Sequence, residues 1–318
     1  LSMVKKVLIT GGNGYIGSRL CLYLADVGYA VTPVCYPEVP ADTFWIKKME
    51  EIKVGDVRDI VFLQEIAKGS YDIVIHLVSL DHRQSEGEPA FVTSVNITPV
   101  WSLLDIFSKK GLQKFIYFST VQVYGKLSNE KITEQHTPLV SNAYGLTHLI
   151  GEKICDFYNR TTLTACRVIR LSNSYGAPIF VENNCWWLVI NDLCKQAYFD
   201  GKIVLQSDGT PQRDFIHGWD VCQAVQKIIE TDHSDFLYQI SSGTTLTIWE
   251  IACLVQDIYY KRYKRRLLVY RKDENSVQVD KRYCIDNSLL LTIGFKPEWE
   301  LERGIHDLFD FLECHDGK

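Results

Sequence analysis

A phenol and an imidazole, Tyr144 and His148, stand four positions apart in the stretch NAYGLTH at 142–148. The stretch is typical of the start of a helix, where residues four apart lie on one face, so both side chains can reach one ligand. A phenol has an ordinary pKa of about 10 and needs help to exchange a proton near neutral pH. The spacing therefore predicts a proton-transfer site in which His148 helps Tyr144.

A glycine-rich turn near the N-terminus could hold a cofactor. A short apolar strand predicted over 5–10 leads into GGNGYIG, which places Gly11, Gly14 and Gly17 three apart ahead of a predicted helix. This spacing allows a tight turn, lets a diphosphate approach bare backbone N–H groups, and lets the helix pack close to its strand. The order of strand, turn and helix predicts dinucleotide binding.

The end of the second predicted strand, over 30–34, does not decide between the two nicotinamide dinucleotides. An acid at this point would bind the ribose hydroxyls of NAD, and an arginine would accept the extra phosphate of NADP. The chain has CYP at 35–37 instead, although Arg19, Lys47 and Lys48 could in principle reach a 2′-phosphate. NAD and NADP both stay open.

Strands and helices alternate through the first half of the chain. Apolar strand-like runs at 52–54, 71–77, 114–119 and 164–171 are separated by helical segments that include 59–68 and 89–110. Such alternation predicts a parallel sheet that is covered by helices on both faces.

The composition is that of a soluble globular protein. The 318 residues, 46% hydrophobic and 23% charged, suffice for one large core or two fused cores. A net charge of −5 gives no global attraction to nucleic acid or an anionic membrane, so neither is an expected partner. The apolar runs are short of the roughly 20 residues that span a bilayer, so we expect no membrane span, and we expect no secretory signal before the first glycines. The ten cysteines lack metal-binding spacings, so we expect no metal site and buried thiols in a reducing cytoplasm.

Ordered motifs along the chain resemble those of the extended short-chain dehydrogenase/reductases, in particular the nucleotide-sugar epimerases, dehydratases and ketoreductases. They are GGNGYIG at Gly11, GDVRD at Gly55, HLVS at His76, Asn96 in a long helix, FSTVQVYG at Phe118, YGLTH at Tyr144, RLSNSYG at Arg170 and DGTPQRDFIHGWD at Asp208. One motif would mean little, but the ordered set covers essentially the whole chain.

The resemblance implies an α/β fold with two parts. A Rossmann-type doubly wound parallel sheet would occupy 1–172 and 212–245, and a smaller α/β substrate-binding domain would occupy 173–211 and 246–318. The positions that match cofactor contacts of the family are Gly11, Gly14, Tyr15, Ile16, Gly17, Asp56, Val57, Leu77, Val78, Ser79, Asn96, Tyr144 and His148. Within this set the glycines would hold the diphosphate, Asp56 would contact the adenine, and 77–79 would line the nicotinamide side.

The resemblance also implies hydride transfer at a sugar. Thr120 matches the residue that hydrogen-bonds the reacting oxygen, and Tyr144 matches the tyrosine that exchanges a proton there. A hydride that moves at carbon must be matched by a proton at its oxygen. His148 departs from the family, which has a lysine that bridges the ribose hydroxyls and lowers the tyrosine pKa. A histidine is mostly neutral at pH 7, so a slow or differently tuned enzyme is expected, and a dinucleotide sensor without turnover is the alternative.

Val121 and Gln122 stand where the dehydratase branch has Asp and Glu, which argues against a 4,6-dehydratase. The resemblance implies a nucleoside-diphosphate sugar as substrate, contacted by Thr120, Gln122, Asn173, Arg213 and Arg271. We therefore expect a cytoplasmic NAD(P)-dependent epimerase or 4-ketoreductase that acts at a hexose ring carbon, C4, and forms a homodimer.

Overall fold

The computed structural model describes residues 4–127, 130–272 and 282–315. Its strands are β1 (Lys6–Thr10), β2 (Ala30–Cys35), β3 (Lys53–Val54), β4 (Ile73–His76), β5 (Lys114–Thr120), β6 (Lys131–Ile132), β7 (Ala165–Leu171), β8 (Asn173–Tyr175), β9 (Lys202–Val204), β10 (Gln212–His217), β11 (Leu237–Ile240), β12 (Thr245–Thr247), β13 (Leu268–Tyr270) and β14 (Cys284–Ile285).

The α-helices are α1 (Tyr15–Asp26), α2 (Thr43–Lys48), α3 (Ile60–Ile66), α4 (Pro89–Asn96), α5 (Thr98–Ser108), α6 (Ala143–Thr161), α7 (Val189–Asp200), α8 (Gly218–Glu230), α9 (Ile248–Tyr263), α10 (Ser288–Thr292) and α11 (Leu301–Cys314). Two 3₁₀ turns lie at Gln84–Glu86 and Val121–Tyr124.

Seven parallel strands form the central sheet in the order β11-β7-β5-β4-β1-β2-β3. The chain starts near the middle at β1, runs outward to β3, and then returns through β4 toward the other edge, which is the doubly wound arrangement. Thr10 pairs with His76, and His76 pairs with Tyr117, so β1, β4 and β5 end close together. The expected Rossmann-type sheet is confirmed.

The apolar strands are continuous because both faces of the sheet are covered. Val7 and Ile9 of β1 point into a core with α1 and α8, whereas Leu8 points into a second core with α3, α5 and α6. Alternation of side chains along a strand puts neighbours on opposite faces, so a strand between two helical layers needs apolar residues at every position.

The helix predicted over 89–110 is divided in two at Ile97. Pro99 has no N–H to donate to the carbonyl of Val95, so regular helical bonding stops at this point. By length and composition, Pro89–Ser108 could nevertheless cross a membrane, so the expectation that no stretch has this character is wrong. In the protein 44% of that stretch is buried, and Leu103 and Leu104 lie fully inside the second core.

A third core lies apart from the central sheet. It is formed by the buried faces of α7, α9 and α11 together with side chains of β9 and β10. β10 also joins β8 and β12 in a three-stranded sheet. The elements of this core come from the part of the chain beyond residue 173, where the regular alternation of the first half ends.

A buried ion pair joins α6 to the central sheet. Glu152 of α6 and Arg170 of β7 approach to 2.6 Å, and each side chain is only 5% exposed. Glu152 also accepts a hydrogen bond from Ser119 of β5 at 2.6 Å, and Arg170 donates to the hydroxyl of Tyr124 at 2.9 Å. Loss of one member of such a pair leaves the other charge buried and unpaired.

Glu152→Gln is therefore expected to lower the free energy of unfolding by about 3 kcal/mol, since Arg170 would keep its charge without a counter-charge. The matched control is Asp156→Asn on the same helix, which breaks an exposed pair with Arg160 at 3.2 Å. Exposed pairs contribute less than about 1 kcal/mol. Urea unfolding followed by circular dichroism measures both variants, and equal losses would contradict the role given to the buried pair.

Candidate active site

The glycine turn between β1 and α1 is shaped to receive an anion. Gly14 is the N-cap of α1, no side chain caps this end of the helix, and no acid stands in its first turn. A Cβ on Gly17 would lie 2.0 Å from the carbonyl oxygen of Gly11, whose φ is 72°, so side chains are excluded where the turn is tightest. An uncapped helix N-terminus presents N–H groups and a positive dipole end. The turn therefore fits the diphosphate of a dinucleotide.

The same turn is bonded to a segment far along the chain. The hydroxyl of Tyr15 donates to the carbonyl of Gly176 at 2.9 Å, and the amide of Asn183 donates to the carbonyl of Asn13 at 3.0 Å. Ile16, the next predicted cofactor contact, is half-buried against the first core. The hydrogen bonds of Tyr15 and Asn13 hold the glycine turn against residues 176–183.

Arg19 is not the surface cation that the sequence suggested. It is 1% exposed, donates to the carbonyl of Ala177, and lies between the rings of Tyr15 and Trp219 at 5.0 and 5.5 Å. A guanidinium in this position is unavailable to a 2′-phosphate. Lys48 forms an ion pair with Asp26 at 2.6 Å. Among the described residues, Lys47 is therefore the one candidate cation for a 2′-phosphate that is neither buried nor ion-paired.

Asp56 follows β3 and carries a hydrogen-bonded carboxylate. It accepts from the backbone N–H and from the guanidinium of Arg58, both at 2.9 Å, and these bonds hold the pKa of Asp56 below its ordinary value. The next helix is capped by Asp59, which leaves Asp56 free of that role. Val57 is 5% exposed and lies in the second core. Contacts of Asp56 and Val57 with adenine stay predictions.

The residues expected to do chemistry meet where β5 ends and α6 begins. The rings of Tyr144 and His148 are 4.4 Å apart between centroids, edge to face, as their helical spacing implies. Thr120 ends β5, and its hydroxyl accepts from the backbone N–H of Gln122 at 3.2 Å and interacts with the phenol of Tyr144. The side chain of Asn142 caps α6 and fixes the point at which the helix starts.

Electrostatics at this cluster disfavour the phenolate. Burial raises the pKa of Tyr144 to about 12, the negative charge of Asp81 acts in the same direction, and the hydrogen bond with Thr120 opposes both. Burial also lowers the pKa of His148 to about 4, so this imidazole is neutral at pH 7. Among the groups of the described chain that shift the pKa of Tyr144, none is a cation.

His148 connects α6 to the ends of two strands. Its Nδ1 lies 3.1 Å from the hydroxyl of Tyr117 on β5, and its Nε2 lies 3.2 Å from the hydroxyl of Ser79. Ser79 belongs to the loop that follows β4. In the same loop Leu77 donates its N–H to Thr10 at 3.4 Å, and Val78 packs against the glycine turn. Residues 77–79 thus lie between the glycine turn and His148.

Asn96 supports that loop from the protein interior. Its carbonyl oxygen accepts from the backbone N–H of Leu80 at 2.8 Å, and its amide donates to Thr147 of α6 at 3.0 Å and to Ser85 at 3.2 Å. The side chain is 2% exposed. These bonds tie the loop to α6, whereas a direct contact of Asn96 with the cofactor stays a prediction.

The residues expected at the substrate diphosphate lie on the second part of the chain. Asn173 opens β8 and donates to the backbone carbonyl of Asp214 on β10 at 2.9 Å, while Arg213 of β10 is exposed. Because β8 and β10 are paired, Asn173 and Arg213 are near neighbours. The guanidinium of Arg271 lies 4.5 Å from the ring centre of Trp249, at the start of α9. Their contacts with substrate stay predictions.

Tyr117 is the neighbour of His148 that the sequence reasoning missed. Tyr117 and Ser119 are two apart on β5 and contact His148 and Glu152, which are four apart on α6. A strand repeats every two residues and a helix returns to the same face after four, so the two pairs match. The signal was that Tyr117 and Ser119, two polar side chains two positions apart, stand on one face of a mostly apolar strand.

Comparison with known proteins places these features in a family. Residues 7–240 match the profile described as NAD dependent epimerase/dehydratase family. The chain is 25% identical over 321 residues to a UDP-glucose 4-epimerase of Rhizobium leguminosarum bv. trifolii, which covers 96% of both chains. It is 26% identical over 326 residues to a dTDP-glucose 4,6-dehydratase of Streptomyces antibioticus, with 96% of this chain and 91% of the relative covered.

The fold is similar to that of a solved UDP-glucuronic acid 4-epimerase from Bacillus cereus in complex with UDP-glucuronic acid and NAD. The TM-score is 0.79 at 23% identity, and 97% of this chain and 99% of the other are covered. The resemblance to extended short-chain dehydrogenase/reductases is thus confirmed, as is a nicotinamide dinucleotide as cofactor. The relatives catalyse both epimerisation and dehydration, and the profile spans most of the sequence. The chain belongs to the NAD-dependent epimerase/dehydratase family.

Proposed function

We propose that the protein is an NAD-dependent epimerase of nucleoside-diphosphate hexoses that inverts a ring carbon, C4. One observation supports this proposal: the phenol of Tyr144 and the hydroxyl of Thr120 interact beside the 77–79 loop. That loop adjoins the glycine turn. A proton-exchanging phenol and an orienting hydroxyl are the two groups that alcohol oxidation requires next to a hydride acceptor.

The phenolate form of Tyr144 takes the proton of the sugar hydroxyl as the ring carbon is oxidised, and the resulting phenol returns it when the transient ketone is reduced on its other face. Thr120 holds the reacting oxygen in place during both half-reactions. A nicotinamide dinucleotide held by the glycine turn would supply hydride acceptance and donation, with no net consumption over a full cycle. His148, as a neutral imidazole, forms a hydrogen bond with a ribose hydroxyl of the dinucleotide.

The sugar is proposed to lie between this edge of the central sheet and the elements that carry Asn173, Arg213 and Arg271. In this scheme the smaller domain comprises 173–211 and 246–318, and the cationic side chains face the diphosphate of the substrate. A cytoplasmic location is part of the proposal, supported by ten cysteines that are all free thiols.

We propose epimerisation rather than 4,6-dehydration, because elimination needs an acid and a base at the sugar. Val121 and Gln122 offer neither, and Gln122 accepts a hydrogen bond from a neighbouring amide at 3.2 Å. Asp81, the acid that acts on the pKa of Tyr144, is occupied by the backbone N–H groups of Arg83 and Gln84 at 2.9 and 2.8 Å. Asp81 therefore caps a turn.

The proposal is tested by incubating the protein with NAD and UDP-glucose, UDP-galactose or UDP-glucuronic acid, followed by chromatography and mass measurement of the nucleotide sugars. We expect interconversion of 4-epimers without net formation of NADH. A nucleotide 4-keto sugar offered with NADH or NADPH tests the ketoreductase alternative by consumption of reduced cofactor. A product lighter by one water would overturn the exclusion of dehydration.

A second candidate function is dinucleotide binding without turnover. It is favoured by the neutral state of His148 and by the pKa of about 12 for Tyr144, which together leave the phenol without a cation to activate it. Calorimetry that detects NAD binding, combined with no product from any of the nucleotide sugars above, would favour the sensor over the enzyme.

Tyr144→Phe should lower kcat by about 10²- to 10⁴-fold, because the aromatic ring is retained while the proton-exchanging hydroxyl is lost. NAD affinity should change little. The matched control is Tyr260→Phe, since Tyr260 is 56% exposed and lies on α9, outside the glycine turn and the Tyr144 cluster. Full activity in Tyr144→Phe would show that another group exchanges the proton.

His148→Lys should shift the pH dependence of the oxidation half-reaction. Tyr144 is almost wholly protonated at pH 7, so the rate should rise with pH as the phenolate fraction grows. A lysine cation would lower the pKa of Tyr144, and each unit removes about 1.4 kcal/mol of proton-transfer work. The rising limb of kcat should therefore move to lower pH.

Stopped-flow measurement of that half-reaction across neutral and alkaline pH checks this expectation. His233→Lys adds the same charge at an exposed site and serves as the control. If the rising limb of kcat lies at the same pH in His148→Lys as in the wild-type protein, residue 148 does not act on the pKa of Tyr144.

We also propose a homodimer that forms through α5 and α6. These helices pack side by side and expose large apolar side chains: Trp101 is 56% exposed, Leu146 46%, Ile150 37% and Phe157 50%. Leu146, Ile150 and Phe157 share one face of α6, because they are separated by whole helical turns. A contiguous apolar surface of this kind marks a protein interface.

Ile150→Asp should therefore shift the protein from dimer to monomer, since it places a charge in the centre of the apolar surface. Leu139→Asp is the control, because Leu139 is 77% exposed on a loop outside α5 and α6. Sedimentation velocity measures the molecular mass of each variant. A wild-type protein that sediments as a monomer would remove the dimer from the proposal.

A further inference from the structure

A chain of polar groups runs through His148 from the core to the cofactor loop. The hydroxyl of Tyr117, which is 2% exposed, lies 3.1 Å from Nδ1, and the hydroxyl of Ser79 lies 3.2 Å from Nε2. Ser79 in turn donates to the carbonyl of Leu80 at 2.8 Å. Each of these bonds has one donor and one acceptor, so their directions depend on each other.

The direction follows from the two ends of the chain. Tyr117 is buried and stays protonated, because burial raises its pKa well above the ordinary value. A buried hydroxyl donates wherever it can, and within the described chain its hydrogen-bond partner is Nδ1 of His148, which therefore accepts. The proton of Ser79 is used toward Leu80, so its oxygen is free to accept from Nε2. Both ends place the single ring proton on Nε2.

We propose that Tyr117 is a positioning residue that fixes His148 in the tautomer protonated on Nε2. A neutral imidazole then directs its one N–H, bonded here to Ser79, toward the cofactor loop at the position where the family has a lysine. The inference deepens the proposed function and rests on its placement of the cofactor ribose beside His148. Tyr117 acts through His148 and touches neither cofactor nor substrate.

The surroundings of the pair are arranged for this contact. A Cβ on residue 151 would lie 2.4 Å from the hydroxyl of Tyr117, so Gly151 of α6 makes room for the phenol. The backbone carbonyl of Phe118 also interacts with the His148 ring and offers a competing acceptor. Without the phenol, the ring can turn its proton toward that carbonyl.

The other titratable groups around the pair leave its charge state unchanged. His76 of β4 stacks over Tyr117 at 6.2 Å, bonds to Thr10 at 2.7 Å, and has a pKa that burial lowers to about 3. Tyr144 lies on the same helix as His148 and stays protonated. At neutral pH the cluster is therefore made of uncharged groups, and the tautomer decides where a donor is available.

The tautomer is read directly by ¹⁵N NMR of the histidine rings, with His148→Gln used to assign the signal among the eight histidines. In the wild-type protein without ligands, we expect a protonated Nε2 and an unprotonated Nδ1. Tyr117→Phe should convert this signal to a mixture or to the Nδ1-protonated form. The matched control is Tyr238→Phe, which removes another buried strand hydroxyl, one without a hydrogen-bond partner in the described chain.

A wild-type ring protonated on Nδ1, or an unchanged ring in Tyr117→Phe, would overturn the inference. These spectra need neither cofactor nor activity, so they stand even if the protein turns out not to be an epimerase. Urea unfolding of Tyr117→Phe verifies that the variant is folded under the conditions of the spectra.

A double-mutant cycle tests the consequence for binding. Tyr117→Phe should weaken NAD binding about three- to tenfold, the effect of one misdirected hydrogen bond. In the His148→Lys background the same change should have no effect, because an ammonium group has only donors and no tautomer to fix. Equal weakening in both backgrounds would assign Tyr117 a merely structural role. A wild-type protein that binds no NAD would overturn the proposed function, and the spectra alone would then decide the inference.

Discussion

The register of α6 on β5 is the constraint on which the candidate site depends. Four residues of helix rise about 6.0 Å and two residues of strand about 6.6 Å, so His148 and Glu152 can face Tyr117 and Ser119 together. A shift of the helix by one residue would rotate it by about 100° and break both contacts. These two polar contacts and the cap from Asn142 help to hold the helix in the position that brings Tyr144 beside Thr120.

Apart from the carboxylate of Asp81, the charged groups near the site are paired and its histidines are neutral. The cation that contacts α6, Arg170, is largely cancelled by Glu152 at 2.6 Å, and the two histidines near the tyrosine are uncharged at neutral pH. In the proposed function, such a site relies on hydrogen-bond direction at the position where the resemblance implies a lysine cation. Proton transfer by Tyr144 would then be slowed, because the pKa of its phenol stays high.

Much of the fold and of the candidate site could be predicted from local sequence patterns. The glycine turn and the spacing of Tyr144 and His148 are properties of a few consecutive residues, and both could be predicted from the sequence. The break at Ile97 followed from Pro99 but was hidden by an apolar pattern that continues across it. The burial of Arg19 and the contact of Tyr117 with His148 depend on which helix covers which face of the sheet, so composition and periodicity could not supply them.

The bonds between the glycine turn and residues 176–183 have a mechanical consequence. Movement of that segment away from the sheet would break the bonds of Tyr15 and Asn13 and would remove the carbonyl that Arg19 contacts. A ligand that stiffens the turn must then also resist the movement, because coupling between two sites is reciprocal. Under the proposed function, release of the dinucleotide and opening toward the sugar would be parts of one equilibrium, so that a bound substrate would help to retain the dinucleotide.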